Sequence, residues 1–194
     1  LAHKTPHHRE AVDAFVQNDH PFLDQKAHLY LGTKVEYNDY TGIEVQPTVR
    51  VSYKPQDNQT LWSAFSRSVH TPTRISDGID VYSSVAMQPG LPFPTIPHAI
   101  GNKNLFSEEM YSYEFGYRFE PTKKASIDIA LFYNNYRRLV GSEPYAPVFD
   151  PLHQIFIVPT DFENGGRANS YGAEVSSILH PIDPWELSIG YTLL

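Results

Sequence analysis

Arginine, tyrosine and histidine gather in two stretches where the regular patterning of this sequence lapses. Residues 70–107 carry Arg74, Tyr82 and His98, and residues 137–168 carry Arg137, Arg138, Tyr145, His153 and Arg167. A guanidinium forks onto carboxylate or phenolate oxygens. A tyrosine adds a stacking face and a donor. Together they suit recognition of an anionic, aromatic small molecule. We take Arg74, Tyr82, His98, Arg137, Arg138 and Tyr145 as the candidate ligand-binding set, while noting that each is also a residue type that ordinary solvated loops carry. Nothing groups for catalysis. There is no G-x-S-x-G, no P-loop and no carboxylate pair that the sequence brings together. The nine histidines show no helical H-x-x-x-H or carboxylate-flanked spacing, so no metal site and no resident cofactor are expected.

Composition narrows the partners. The net charge of -7 argues against nucleic acid, whose binders carry basic patches. The absence of cysteine excludes a disulfide scaffold and leaves the compartment open. No leader is visible at Leu1, so the chain reads as mature or as a fragment. Mean hydropathy is -0.39 and no apolar run is long enough for a membrane helix. A membrane β-barrel would show neither, because its strands alternate apolar and polar residues.

The elements that must hold these loops are strands. Period-2 alternation predicts eight, at about 11–19, 26–37, 44–54, 60–69, 108–120, 125–136, 169–179 and 185–194. In the second, Ala27, Leu29, Leu31, Thr33, Val35 and Tyr37 oppose His28, Tyr30, Gly32, Lys34 and Glu36. In the fifth, Tyr111, Tyr113, Phe115, Tyr117 and Phe119 oppose Ser112, Glu114, Gly116, Arg118 and Glu120. In six strands the charges are expected on one face only. Lys34, Glu36, Arg50, Glu114, Arg118, Asp128 and Glu174 would then line an interior. A lipid-facing surface needs this purity, and so does a sandwich interior. The first and fourth strands cannot be oriented.

The connections discriminate further. Tight turns with Pro or Asp near 21–24, 55–58, 121–124 and 181–184 alternate with the longer stretches 70–107 and 137–168, only 38–43 being short. Outer-membrane barrels keep short turns at one end and long loops at the other. Tyr37, Tyr53, Tyr117, Phe119, Tyr133, Tyr136, Trp185 and Tyr191 fall near strand ends, where an interfacial girdle would sit. The proline run 89, 92, 94 and 97 predicts a stiff, extended loop tip. A small complete barrel with a structural or adhesion role, and a soluble β-sandwich binding module, remain alternatives on these observations.

The ordered motifs resemble those of the TonB-dependent receptor family. Gly32–Tyr53 resembles its G-x-(R/K)-…-E-x-N-x-x-T-G-x-E-x-x-P pattern. Thr60–Arg74, TLWSAFSRSVHTPTR, resembles the motif entering a long external loop, with His70 where a second Arg is common. Asn102–Arg118, NKNLFSEEMYSYEFGYR, resembles the return strand, with Lys103 in place of Pro. Ile127–Leu139, Ala168–Ser176 and Trp185–Leu193 resemble the strands that follow. The resemblance implies an all-β, antiparallel, up-and-down transmembrane β-barrel of about 22 strands, plugged by an N-terminal domain. Residues 1–194 would form about eight strands of that one barrel domain. The plug has no counterpart here and Leu194 is no terminal aromatic, so the chain is expected to be an internal part. The resemblance further implies an energy-coupled transporter, not an enzyme, in a Gram-negative outer membrane. Its partners would be a ferric siderophore, haem or cobalamin, TonB through the plug, and outer-membrane lipid. In the haem receptors of the family a histidine placed as His98 is here ligates haem.

Overall fold

The computed structural model describes residues 10–194. The alternating segments form β1 (Ala11–Phe22), β2 (Ala27–Asn38), β3 (Gly42–Tyr53) and β4 (Gln59–His70). A helical turn α1 (Arg74–Gly78) and two short strands, β5 (Asp80–Tyr82) and β6 (Thr95–Ile100), follow. Then come β7 (Glu108–Thr122), β8 (Ala125–Pro144), β9 (Val148–Asp150), β10 (Ile155–Leu179) and β11 (Leu187–Leu193). All eleven strands join one sheet, in the order β1-β2-β3-β4-β7-β8-β10, with β6 and β11 on the far edge of β10. Every pairing is antiparallel except β6 with β10.

Register carries the two faces across the sheet. Leu31, Val49, Phe65, Tyr113, Tyr133 and Tyr171 stand in one cross-strand row. Ala27, Tyr53, Leu61, Tyr117, Ile129, Val175 and Tyr191 form another. The apolar rows run from Phe119 to Tyr113, about 20 Å along β7, close to the ~25 Å band of outer-membrane barrels. These side chains are open to the surroundings: Leu131 is 50% exposed and Tyr171 70%. A sandwich would cover such a face with a second sheet about 10 Å away. Here there is one sheet, and among the described residues only Ala27 and Leu105 are buried hydrophobics, so the sandwich alternative falls. A 540 Å³ concavity lined by Tyr30, Arg50, Arg118 and Glu120 lies on the opposite, charged face, which is therefore the inside of the curl.

Pairing orients the two strands that sequence left open. Asp13, Phe15, Gln17 and Asp19 of β1 oppose concave-facing Glu36, Lys34, Gly32 and Tyr30, so Val12 and Val16 face outward. In β4, Trp62 and Ala64 are concave-facing while Leu61 and Phe65 face outward. The turns after β1, β3, β7 and β10 lie at one end, tied by Lys54 N–H to Lys26 O, Glu120 N–H to Asn58 O and His180 N–H to Lys124 O.

Five expectations need correction. Residues 137–168 are mostly strand: β8 runs to Pro144 and β10 starts at Ile155. Register shifts on either side of the Gly166–Leu139 pair, next to Arg138 at φ 56°, break the phase and hide the alternation. Tyr136 pairs with Met110 and Ala168 on the concave parity, so it is no girdle residue. Trp185 sits in the turn before β11. Glu109 lies on the outward parity, as do Arg67 and Arg137, so the outer face is free of charge only below the Tyr113 row. The proline run divides: Gln88 to Leu91 is a turn with Gly90 at φ 86°, whereas Pro97 joins β6.

Candidate functional site

The long connection from β4 to β7 does not hang free. It passes β7 and β8 and adds β6 in parallel to the outer end of β10, Thr95 to Ile100 beside Phe156 to Asp161. Phe93, Phe149 and Phe156 pack together there, with ring centroids 5.0 to 6.3 Å apart. On the return side, Asn102 Nδ2 donates to the Phe162 carbonyl (2.8 Å). Asn164 accepts from Phe106 N–H (2.8 Å) and donates to the carbonyls of Phe106 and Arg138 (3.0 and 2.8 Å). Gly101 lies so near α1 that a Cβ there would meet Gly78 N at 2.6 Å. The two external connections are thus one structured cap.

Within the cap, Tyr82 and His98 are cross-strand partners and their rings stack at 4.0 Å and 9°. His98 Nε2 is 2.8 Å from Asp80 Oδ1. The His98 ring is thereby committed on one face and one nitrogen. Arg74 opens α1 and is exposed. Tyr145 donates its hydroxyl to Glu163 (2.9 Å), and that carboxylate holds the phenol above its usual range. At the hairpin tip, His153 and the Leu152 and His153 amides donate to Asp150, which hold its carboxyl below the usual value. Sequence placed His153 in this connection without a partner.

The two remaining candidates sit elsewhere. Arg137 lies on the outward parity, bonded to Asn135 (2.8 Å) and 5.1 Å from the Tyr111 ring. Arg138 joins a charge cluster at the outer rim: Glu109 Oε1 accepts from Arg67 (2.8 Å) and Arg138 (3.4 Å), and Tyr111 donates to Oε2 (3.4 Å). The structure therefore joins Tyr82 with His98, but leaves Arg74, Tyr145 and the arginines of β8 apart. Arg67 and Glu109 were missed. Their signal was charge on the apolar parity of otherwise clean strands.

Below the cap, the concave wall holds a 540 Å³ pocket lined in part by Tyr30, Arg50, Lys54, Arg118 and Glu120. Arg50 lies 4.3 Å above the Trp62 ring, which itself covers Gly116. Lys34 bonds Glu36 (3.0 Å) and Arg118 bonds Asp128 (2.7 Å). Among the described residues no group of three His, Cys, Asp or Glu is arranged to hold a metal ion.

A curled antiparallel sheet with an apolar convex face, a charged concave face and its long connections folded into a cap defines a class: the wall of an outer-membrane-type β-barrel. The family model described as TonB dependent receptor-like, beta-barrel, matches residues 4–194, and the chain belongs to that family. Barrels of the family are outer-membrane proteins of Gram-negative bacteria. No curated protein matches the chain. Among solved structures, the ferric enterobactin receptor PfeA of Pseudomonas aeruginosa in complex with BCV-L6 is similar with a TM-score of 0.78 at 19% identity, over 96% of this chain and 27% of that one. The siderophore receptor PirA of Pseudomonas aeruginosa gives 0.70 at 18%, over 95% and 34%. The FrpB iron transporter of Neisseria meningitidis gives 0.60 at 11%, over 95% and 25%. At these identities the likeness is one of fold. The chain spans about a quarter to a third of the length of these structures.

Proposed function

We propose that the chain forms part of the wall and external vestibule of a TonB-dependent receptor that takes up a ferric siderophore or similar metal chelate. The observation that carries this is the cap: a connection of nearly forty residues is folded and zipped onto β10, above a charged concave wall. A barrel with only a structural role has no need to order so long a loop against the outer end of its wall. The stacked Tyr82 and His98 offer an aromatic surface, and exposed Arg74 and Tyr145 offer a cation and a polar ring. Arg137 and Arg138 serve the frame, being held by Asn135 and Glu109. Haem is the less favoured chelate, because the His98 Nε2 is occupied by Asp80. The ligand would be moved unchanged, with TonB acting through a plug.

Binding of ferric siderophores, haem and cobalamin to the detergent-solubilised receptor tests this, read by quenching of tryptophan. Saturable quenching by one ferric chelate, weakened in Arg74→Ala and Tyr82→Ala, is the expected result. No saturable binding by any member of the panel would overturn the metal-chelate reading.

A further inference from the structure

The β3–β4 ladder stops at Thr48–Ser66, although β3 continues to Gly42 and β4 to His70. The cause is one residue. Lys54 N–H donates to Lys26 O, so the even residues of β3 turn their backbone groups towards β2 and the odd ones towards β4. Position 47 is proline, so β3 has no N–H to offer where Arg67 stands opposite. The β2–β3 ladder, on the other side of Pro47, runs unbroken from Ala27–Tyr53 to Asn38–Gly42.

Side chains bridge the break. Arg67 Nη1 donates to the Val45 carbonyl, and Val69 N–H donates to Gln46 Oε1 (3.3 Å). Arg67 Nη2 is 2.8 Å from Glu109 and 3.5 Å from Glu44. Beyond β4, Thr41 Oγ1 lies 3.0 Å from Ser107 Oγ, so the β2–β3 turn reaches across to the start of β7. In the row of Pro47, Thr33 Oγ1 is buried without a hydrogen-bond partner.

We propose that this is a latched seam in the barrel wall. Above Ser66, the outer parts of β1, β2 and β3 move as one piece away from β4 when the Arg67 contacts release, widening the external mouth while the lower sheet stays closed. Side-chain bonds can exchange partners without unzipping a ladder, which makes such a seam the part of the wall that opens first.

Amide hydrogen exchange on the membrane-inserted protein tests it, with Arg67→Gln, Pro47→Val and the double variant. In Arg67→Gln, exchange at Val69 rises on the order of ten-fold or more, while residues 42, 44 and 46, bonded to β2, and Leu61, Ser63 and Phe65 keep their protection. Pro47→Val restores the missing donor, so it slows exchange across 67–69 on its own and rescues Arg67→Gln. It also keeps the proposal testable if Arg67→Gln fails to insert. Unchanged exchange at Val69 in Arg67→Gln, loosening spread evenly down the sheet, or no slowing in Pro47→Val would each overturn the seam.

Discussion

Gly101→Ala tests whether the cap is a folded unit. A Cβ at Gly101 would lie 2.6 Å from Gly78 N, 2.7 Å from Asp77 C and 2.7 Å from Ile79 N. All three are backbone atoms, so no side chain can rotate aside. Two backbone bonds cross this contact, Gly101 N–H to Ile79 O (2.7 Å) and Asn102 N–H to Ser76 O (2.9 Å). Overpacking costs about 1–3 kcal/mol, and each lost bond contributes about 0.5–1.5 kcal/mol. The cap should lose on the order of 2–6 kcal/mol locally, which is roughly a 30-fold or greater fall in exchange protection across 76–102. Hydrogen exchange on the membrane-inserted protein reads this directly, with protection of β7 and β8 as the internal reference. Gly165→Ala is the control, because nothing lies within 4 Å of its added methyl and its φ is ordinary. If Gly101→Ala leaves protection across 76–102 unchanged, the docking of α1 against the return segment is wrong.

Removing Asn164 deletes two bonds that hold Phe106 to β10 and one that ties β10 to Arg138 of β8. Asn164→Ala should therefore make the segment after Ile100 the first site of limited proteolysis, with the barrel intact. An outward charge should be costly where an inward one is not: Leu131→Arg loses about 2–4 kcal/mol in lipid, whereas Ala130→Arg loses much less, as measured by folding titrations into vesicles. The Asp150 carboxyl is depressed in the folded tip, chiefly by His153. Its contribution is present above the unfolded carboxylate pKa of about 3.9 and is lost as pH falls through the lower folded value. Exchange at Leu152 and His153, corrected for intrinsic rate, should thus accelerate only in that acid range, and Asp150→Asn should show the faster exchange at neutral pH.

The wall was legible because each residue of a strand alternates between lipid and interior. Lys34, Arg50, Glu114, Arg118, Asp128 and Glu174 all fall on the concave parity that alternation predicted. The cap was not legible, because period-2 patterning fails at bulges. Arg138 and Gly166 each shift the phase, and the extension of β8 and β10 looked like loop. The parallel addition of β6 to β10 joins residues some sixty positions apart, and no local pattern encodes that pairing. Tyr82 and His98 were named separately as loop residues, and only the β5–β6 pairing places them face to face. Arg67 and Glu109 look misplaced on an apolar face until the missing N–H of Pro47 explains why charges are needed at that height.

The most direct test of the account is a nitroxide scan along β8. The sequence has no cysteine, so single cysteines can be placed at 127 to 132 without removing any native thiol. Oxygen dissolved in the bilayer and a water-soluble nickel chelate then report which surroundings each label meets. Residues 127, 129 and 131 should be oxygen-accessible and shielded from the chelate, and residues 128, 130 and 132 should not share that lipid signature. An unbroken run of chelate-accessible positions, or equal oxygen accessibility at odd and even sites, would contradict a lipid-facing barrel wall.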